Sequence, residues 1–300
     1  MQTKIDPVQP HADVRNAYAY YPGCSLNSTG LEYGQSTRAV FRKLDLELVE
    51  LEGWNCCGAS SAHALDHSMA VSLPARTLAL AQEQAPGRDL VTPCAACFNR
   101  LRRADYVLRT DPEQRAEIEA SLGYHFDGTV TVRPVLAVLA EDVPPQRMAE
   151  LVQRPLRGLK VVPYYGCLLV RPPEVTRFDD PDSPQVMAKL LRGLGAEVMD
   201  WSHATDCCGA GLSLGRPDVV KSLVGRLVER AREAGAQALA TACPLCQVNL
   251  EMRQPQADKM PAFYFTELLG LAFGLPDASK WWSKHLIDPR PVLRQAGLVN

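Results

Sequence analysis

The cysteines of this 300-residue chain follow one pattern that occurs twice. Each copy has a single cysteine, then a Cys-Cys-Gly triplet and then a Cys-x-x-Cys pair, and the two copies account for all ten cysteines. The first copy consists of Cys24, Cys56, Cys57, Cys94 and Cys97, and the second of Cys167, Cys207, Cys208, Cys243 and Cys246. Inert buried cysteines behave as small apolar side chains and would be scattered along the chain. The repeated order therefore predicts two copies of one thiolate site.

Charge and hydropathy exclude several classes of protein. The formal net charge of -2 gives no indication of nucleic-acid binding, and no apolar run approaches the roughly 20 residues that a membrane-spanning helix needs. Residues 1–17 are polar and lack the apolar core of a signal peptide, so they are interpreted as a flexible leader. We expect a cytoplasmic protein. In that reducing compartment the cysteines are not expected to form a disulfide framework.

Strand-like and helix-like segments alternate in both halves, which predicts an α/β fold with two small parallel-sheet units. The predicted domains are 18–145 and 159–300, the second with a C-terminal tail. An apolar helix is predicted over 263–273. Every cysteine element follows a predicted strand, and the carboxyl ends of parallel strands meet at one edge of a sheet. We therefore expect the five cysteines of each half to converge.

Five thiolates are more than the usual metal sites require. Zinc takes four ligands in a closed tetrahedron, and a cubane iron–sulfur cluster also normally takes four cysteines. The adjacent pair in each triplet cannot easily reach opposite corners of one tetrahedron, but it can bind neighbouring irons of a larger, less regular cluster. Soft thiolates favour an iron–sulfur site. A zinc site and a metal-free redox dithiol remain alternatives at this point.

One other side chain is a candidate for catalysis. His203 lies shortly before the second Cys-Cys-Gly triplet and could donate a proton to a departing thiolate. Trp54 and Trp201 precede the two triplets in the same way, which predicts equivalent packing against the loops that follow. The chain has no Gly-x-Gly-x-x-Gly motif and no ferredoxin-type cysteine run, so electrons would have to come from a partner protein.

These motifs resemble those of the cysteine-rich CCG-domain family, and most closely those of the B subunit of heterodisulfide reductase, including the type found in sulfur oxidisers. The resemblance extends over nearly the whole chain from Tyr18. The segments that carry it are 20–26, 52–59, 92–99, 164–167, 205–210 and 241–249.

The resemblance implies a noncubane 4Fe–4S cluster held by the five cysteines of each set, and two halves related by pseudo-twofold symmetry. It implies a catalytic subunit that cleaves or forms a disulfide, or oxidises a carrier-bound thiol or sulfur species. The implied partners are the ferredoxin-like C subunit and the flavin-containing A subunit of such a complex. Two alternatives remain open: an electron-transfer CCG protein of a respiratory oxidoreductase, and a zinc-stabilised structural protein.

Overall fold

The computed structural model of the chain describes residues 16–59, 62–255 and 259–300. Residues 1–15 of the predicted leader lie outside the described residues, and the first strand begins at Ala17.

The N-terminal half is built on a four-stranded parallel sheet. In chain order its elements are β1 (Ala17–Tyr20), α1 (Leu31–Lys43), β2 (Glu47–Glu50), α2 (Ala62–Leu65), α3 (His67–Gln84), β3 (Leu90–Thr92), α4 (Ala95–Thr110), α5 (Pro112–Leu122), β4 (Val132–Pro134), α6 (Val135–Glu141) and α7 (Pro145–Leu151). The strands lie in the order β2-β1-β3-β4, and all three pairings are parallel.

The C-terminal half repeats this arrangement. Its elements are β5 (Lys160–Tyr164), α8 (Pro173–Thr176), α9 (Val186–Gly193), β6 (Glu197–Val198), α10 (Pro217–Glu233), β7 (Ala238–Thr241), α11 (Pro244–Met252), β8 (Ala262–Tyr264), α12 (Phe265–Ala272), α13 (Ala278–Trp281) and α14 (Arg290–Gln295). The strand order is β6-β5-β7-β8, again parallel throughout. The fold class is therefore the predicted one, two parallel-sheet α/β units in one chain.

Strand order explains where the cysteines lie. In the first sheet β2 is added on one side of β1, and β3 and β4 are added on its other side. The strand order therefore reverses between β1 and β3, and in the second sheet it reverses between β5 and β7. Ligand sites in open parallel sheets form at this point, beyond the carboxyl ends of the strands. Cys24 follows β1, and Cys94 follows β3. In the second half Cys167 follows β5, and Cys243 follows β7.

The two halves pack through reciprocal contacts. Helix α1 of the first half lies on α12 of the second, and α9 of the second lies on α6 of the first. Between α1 and α12 the hydroxyls of Ser36 and Thr266 are hydrogen-bonded at 2.7 Å, and both are buried. Beside them the rings of Tyr33 and Tyr264 stack with centroids 4.2 Å apart. The same kind of helix contact is thus made twice, once by α1 with α12 and once by α9 with α6. Pseudo-twofold symmetry requires such a repeated contact.

The C-terminal apolar segment differs from its prediction. The expected helix over 263–273 is a strand followed by a helix, β8 and α12. Phe263 and Tyr264 are extended because they pair with Ala240 and Thr241 of β7 and complete the fourth strand of the sheet. Apolar residues fill either element equally well, so hydropathy alone did not locate the boundary. The equivalent strand β4 was also not predicted.

In the part of the chain that the structure describes, none of the helices has the length and apolar character needed to span a bilayer.

Candidate metal centre

A glycine with an unusual backbone conformation precedes the first cysteine of each set. Gly23 has φ 73° and ψ 164°, a region that is essentially restricted to glycine, and Gly166 also has a positive φ. A Cβ atom on Gly23 would lie 2.7 Å from Cys97 Sγ, and one on Gly166 would lie 3.0 Å from Cys246 Sγ. Both turns therefore need glycine for the backbone to pass against a cysteine sulfur.

A buried tyrosine supports each Cys-Cys-Gly loop. The hydroxyl of Tyr21 donates a 2.8 Å hydrogen bond to the carbonyl of Asn55, and that of Tyr164 donates one of 2.7 Å to the carbonyl of Asp206. Asn55 and Asp206 are the residues directly before the two triplets. Burial, followed by the negative charge of the nearby cysteines, holds the pKa of both tyrosines well above the usual range. The phenols therefore stay protonated and keep these bonds.

The five cysteines of the N-terminal half lie together. Cys24 Sγ and Cys56 Sγ are 3.5 Å apart, and Cys57 Sγ lies 3.3 Å from Cys97 Sγ. Cys94 lies close enough to Cys97 to raise its pKa. Cys24 and Cys56 are exposed, whereas the other three are buried. The set thus runs from the surface into the interior.

The C-terminal half has the same arrangement. Cys208 Sγ lies 3.5 Å from Cys246 Sγ. Cys167 lies close enough to Cys207, and Cys243 to Cys246, for each pair to shift one another's pKa. Here too Cys207 is exposed and Cys208, Cys243 and Cys246 are buried, but Cys167 is only partly exposed.

The two sets meet at the boundary between the halves. The side chains of Cys94 and Cys243 lie close enough for each to shift the pKa of the other, and both are buried. Interaction with Cys243 raises the pKa of Cys94, while interactions with Cys246 and Cys94 lower that of Cys243. The ten cysteines therefore form two adjoining groups.

The first cysteine of each triplet has a lowered pKa. Hydrogen bonds from Cys24 and Cys57 lower the pKa of Cys56 to about 2, and a hydrogen bond from Cys167 lowers that of Cys207 to about 6. The backbone N–H of Gly58 donates to Cys56 Sγ at 3.5 Å, and the N–H of Gly209 donates to Cys207 Sγ at 3.3 Å. Thiolates are the form that binds metals. The first cysteine of each triplet is thus already poised as a ligand.

Unpartnered buried polar atoms near the cysteines fit an anionic group that accepts hydrogen bonds. Thr92 and Thr241 each lie two residues before the Cys-x-x-Cys pair, and their buried hydroxyls have no partner among the described residues. Arg100 Nε, close to Cys57, is also buried without a partner there. Buried polar groups are almost always satisfied, and a cluster with sulfide and thiolate acceptors could satisfy them. Within the described residues, His, Cys, Asp and Glu form no group of three or more suited to holding a metal ion.

The other predicted residues lie outside the cysteine sets. His203 contacts Ser202 Oγ at 2.9 Å and lies 3.9 Å from Asp206. Its role as a proton donor stays a prediction. The tryptophans lie in equivalent places, where Trp54 is edge-on to Tyr21 and Trp201 is beside Tyr164, and their packing against the triplet loops stays a prediction. No role was predicted for these two tyrosines, which hold the triplets. The only sequence signal for them is their recurrence just before Gly23 and Gly166.

A Gly23→Ala variant is expected to lose metal from the N-terminal site, because the added methyl group would occupy space beside Cys97 Sγ. The matched control is Gly53→Ala, which also has a positive φ but has no atom within 4 Å of the new Cβ. Both changes cost about 1–3 kcal/mol of backbone strain, so a fall in melting temperature does not by itself distinguish them. Metal content per chain separates them. Equal metal loss in the two variants would contradict the close-packing role of Gly23.

Comparison with known proteins agrees with this geometry. The family described as CCG, cysteine-rich domain, matches the chain twice, over residues 18–102 and 161–251. The 8-methylmenaquinol:fumarate reductase membrane anchor subunit of Wolinella succinogenes is 30% identical over 92% of this chain and 98% of its own length. The B subunit of the ferredoxin/F(420)H(2)-dependent CoB-CoM heterodisulfide reductase of Methanosarcina acetivorans is 28% identical over 86% and 89%.

A solved structure shares the fold. A hypothetical protein from Helicobacter pylori superimposes with a TM-score of 0.66 at 13% identity, over 89% of this chain and 50% of the other. The two family matches cover each cysteine set from before its first member to beyond its last. This chain therefore belongs to the CCG cysteine-rich domain family, with two copies of the domain, and its relatives include proteins named as the B subunit of heterodisulfide reductase.

Proposed function

We propose that this chain is the catalytic subunit of a heterodisulfide reductase-like complex that cleaves or forms a disulfide, or oxidises a carrier-bound thiol or sulfur species. The observation that supports this most is the contact between Cys94 and Cys243. It brings two equivalent thiolate sites together, and reduction of a disulfide to two thiols consumes two electrons and two protons. A pair of adjoining one-electron sites suits that requirement.

Each set would hold one noncubane 4Fe–4S cluster. Two features support a noncubane cluster, namely the adjacent cysteines of the triplet and the presence of a fifth ligand. When bound, such a cluster supplies or takes up electrons one at a time. The protein contributes the rest of the arrangement. Gly23 and Gly166 allow close approach of the backbone, Tyr21 and Tyr164 hold the triplets, and the exposed cysteines leave the outer side of each site within reach of a substrate.

Electrons would come from partner proteins. All ten cysteines belong to the two sets, so the chain has none left for a ferredoxin-type relay cluster. We infer a ferredoxin-like C subunit as the direct electron partner and a flavin-containing A subunit beyond it. The relatives named as heterodisulfide reductase subunits support this assignment.

Metal and sulfide analysis tests the proposal. Protein purified without oxygen should contain about eight irons and about eight acid-labile sulfides per chain, as two four-iron clusters require. Mössbauer spectra of the same sample should differ from those of cubane clusters. About two zinc ions and no sulfide would contradict the proposal and leave the zinc-stabilised structural protein.

A second function is supported by the Wolinella relative, whose name places it in a fumarate reductase complex. In that case the same clusters would pass electrons from a quinol to another protein of the complex without acting on sulfur. Two assays on the iron-loaded chain distinguish the functions. Reduced viologen with a panel of disulfides should yield thiols if the first proposal is right. Reduction of the oxidised iron-loaded chain by a menaquinol, with no thiol formed from any of the disulfides, would favour the second.

A further inference from the structure

The two cysteine sites differ in their charged surroundings although their cysteines are equivalent. Arg100 and Asn249 each lie three residues after the last cysteine of a set, on helices α4 and α11. Arg100 is half-buried near Cys57, and its Nε has no partner among the described residues. Asn249 is buried, and its Nδ2 lies 3.7 Å from Cys208 Sγ. One position thus carries a positive charge in the first half and a neutral amide in the second.

The residue before each triplet also differs in charge, and in the same direction. The first site has the neutral Asn55, whose side-chain oxygen accepts a 2.8 Å hydrogen bond from Arg76. The second site has Asp206 directly before Cys207. A hydrogen bond from Cys167 lowers the pKa of Cys207, and the negative charge of Asp206 works in the opposite direction. Exposure differs as well, since Cys24 is exposed and Cys167 only partly so. The charges of Arg100 and Asp206 and the exposure of Cys24 all make additional negative charge easier to hold at the N-terminal site, and they outweigh the one 3.7 Å hydrogen bond that the neutral amide of Asn249 donates to Cys208 Sγ.

We propose that Arg100 and Asp206 make the two sites unequal, so that an iron–sulfur cluster at the N-terminal site has a higher reduction potential than the cluster at the C-terminal site. Reduction adds negative charge to a cluster, and nearby charges, hydrogen bonds to the sulfurs and solvent exposure set its potential. A guanidinium at Cys57 stabilises the reduced form, whereas a carboxylate beside Cys207 destabilises it. The inference rests on the proposed function, because it requires clusters at both sites.

This inequality has a consequence for the order of electron transfer. The first electron from a one-electron donor would reside at the N-terminal site, and the second would go to the more strongly reducing C-terminal site. The N-terminal and C-terminal sites adjoin through one pair of buried side chains, those of Cys94 and Cys243. The chain itself would thus set the direction in which electrons are loaded.

A dye-mediated redox titration of the iron-loaded chain, followed by electron paramagnetic resonance, tests the proposal. The wild-type protein should show two midpoint potentials. Arg100→Met should lower the higher one and Asp206→Asn should raise the lower one, so each variant narrows the separation and the double variant narrows it most. Arg100→Lys, which keeps the charge, should retain the wild-type separation.

Two matched controls remove the same charges elsewhere. Arg103→Met changes an exposed arginine of α4, and Asp200→Asn changes a carboxylate that is 98% exposed. Both should leave the two potentials unchanged, because exposed charges are screened by water and salt. If Arg100→Met fails to bind iron, Asp206→Asn still tests the proposal.

The outcomes separate this proposal from the one it rests on. Iron-free wild-type protein would overturn the proposed function. Two clusters with one common potential, or potentials that neither Arg100→Met nor Asp206→Asn shifts, would overturn the inequality and leave the proposed function intact. A shift of the lower potential by Arg100→Met would also contradict the assignment.

Discussion

Replacing Cys56 by alanine is expected to remove about half of the bound iron and sulfide and to abolish disulfide cleavage. Cys56 is exposed and contacts Cys24 at 3.5 Å, so the substitution deletes a ligand without leaving a cavity in the core. If disulfide chemistry needs one electron from each of two sites, the remaining cluster cannot complete it. The measurements are iron and sulfide per chain and thiol release under reduced viologen.

The structure provides controls for this prediction. Cys207→Ala, at the equivalent position, should give the same iron loss and the same loss of activity, and the double variant should contain almost no iron. Ser28→Ala, an exposed change beside the first site, should retain iron and activity. If Cys56→Ala kept full iron content and full cleavage, the two-cluster mechanism would be wrong.

Much of this arrangement could be predicted because cysteines are strongly constrained by what they bind. The repeated order indicated both sets, and the strand before each cysteine element indicated that the members converge. The contact between Cys94 and Cys243 could not be derived in the same way. It depends on how the halves pack, and the contact between α1 and α12 involves residues such as Ser36 and Thr266 that lie outside the cysteine motifs.

The same reasoning explains what was missed in the fold. Strands β4 and β8 are only three residues long, and each runs directly into a helix. Such a strand has too few residues for alternation to show, and its identity comes from pairing with β3 or β7. The sequence shows only an apolar run, and pairing with the neighbouring strand determines where the strand ends and the helix begins.

A buried charged cluster in the C-terminal segment was also not predicted. The side chain of His285 is fully buried, with Nδ1 2.9 Å from Glu251 Oε1 and Nε2 3.0 Å from Glu267 Oε1. Glu251 also accepts the backbone N–H of Leu286 at 2.7 Å. Burial works to lower the pKa of His285, but the two carboxylates raise it to about 11. The imidazolium therefore ties the C-terminal segment to α11, the helix that carries Cys246.

His285→Gln is expected to destabilise the chain by about 3–5 kcal/mol, because removal of one partner from a buried ion pair leaves uncompensated charge. The matched control is His125→Gln. That histidine also faces a glutamate, Glu119, at 3.2 Å, but its side chain is 77% exposed, so its loss should cost at most about 1 kcal/mol. Urea unfolding of the two variants and of the wild type measures the difference. Equal midpoints for His285→Gln and His125→Gln would contradict the ion-pair assignment.

The same cluster predicts how stability depends on pH. The pKa of His285 is higher in the folded chain, about 11, than the value of about 6.5 expected in the unfolded chain. The folded state therefore binds more protons between these two values, and stability falls as pH rises through that range. The contribution of His285 is complete below about pH 6.5 and is progressively lost toward pH 11. Burial raises the pKa of Glu32, a further buried carboxyl that interacts electrostatically with the same cluster.

The difference in unfolding free energy between wild type and His285→Gln should accordingly shrink from pH 7 to pH 10. A difference that stayed constant would show that the imidazole acts by packing alone.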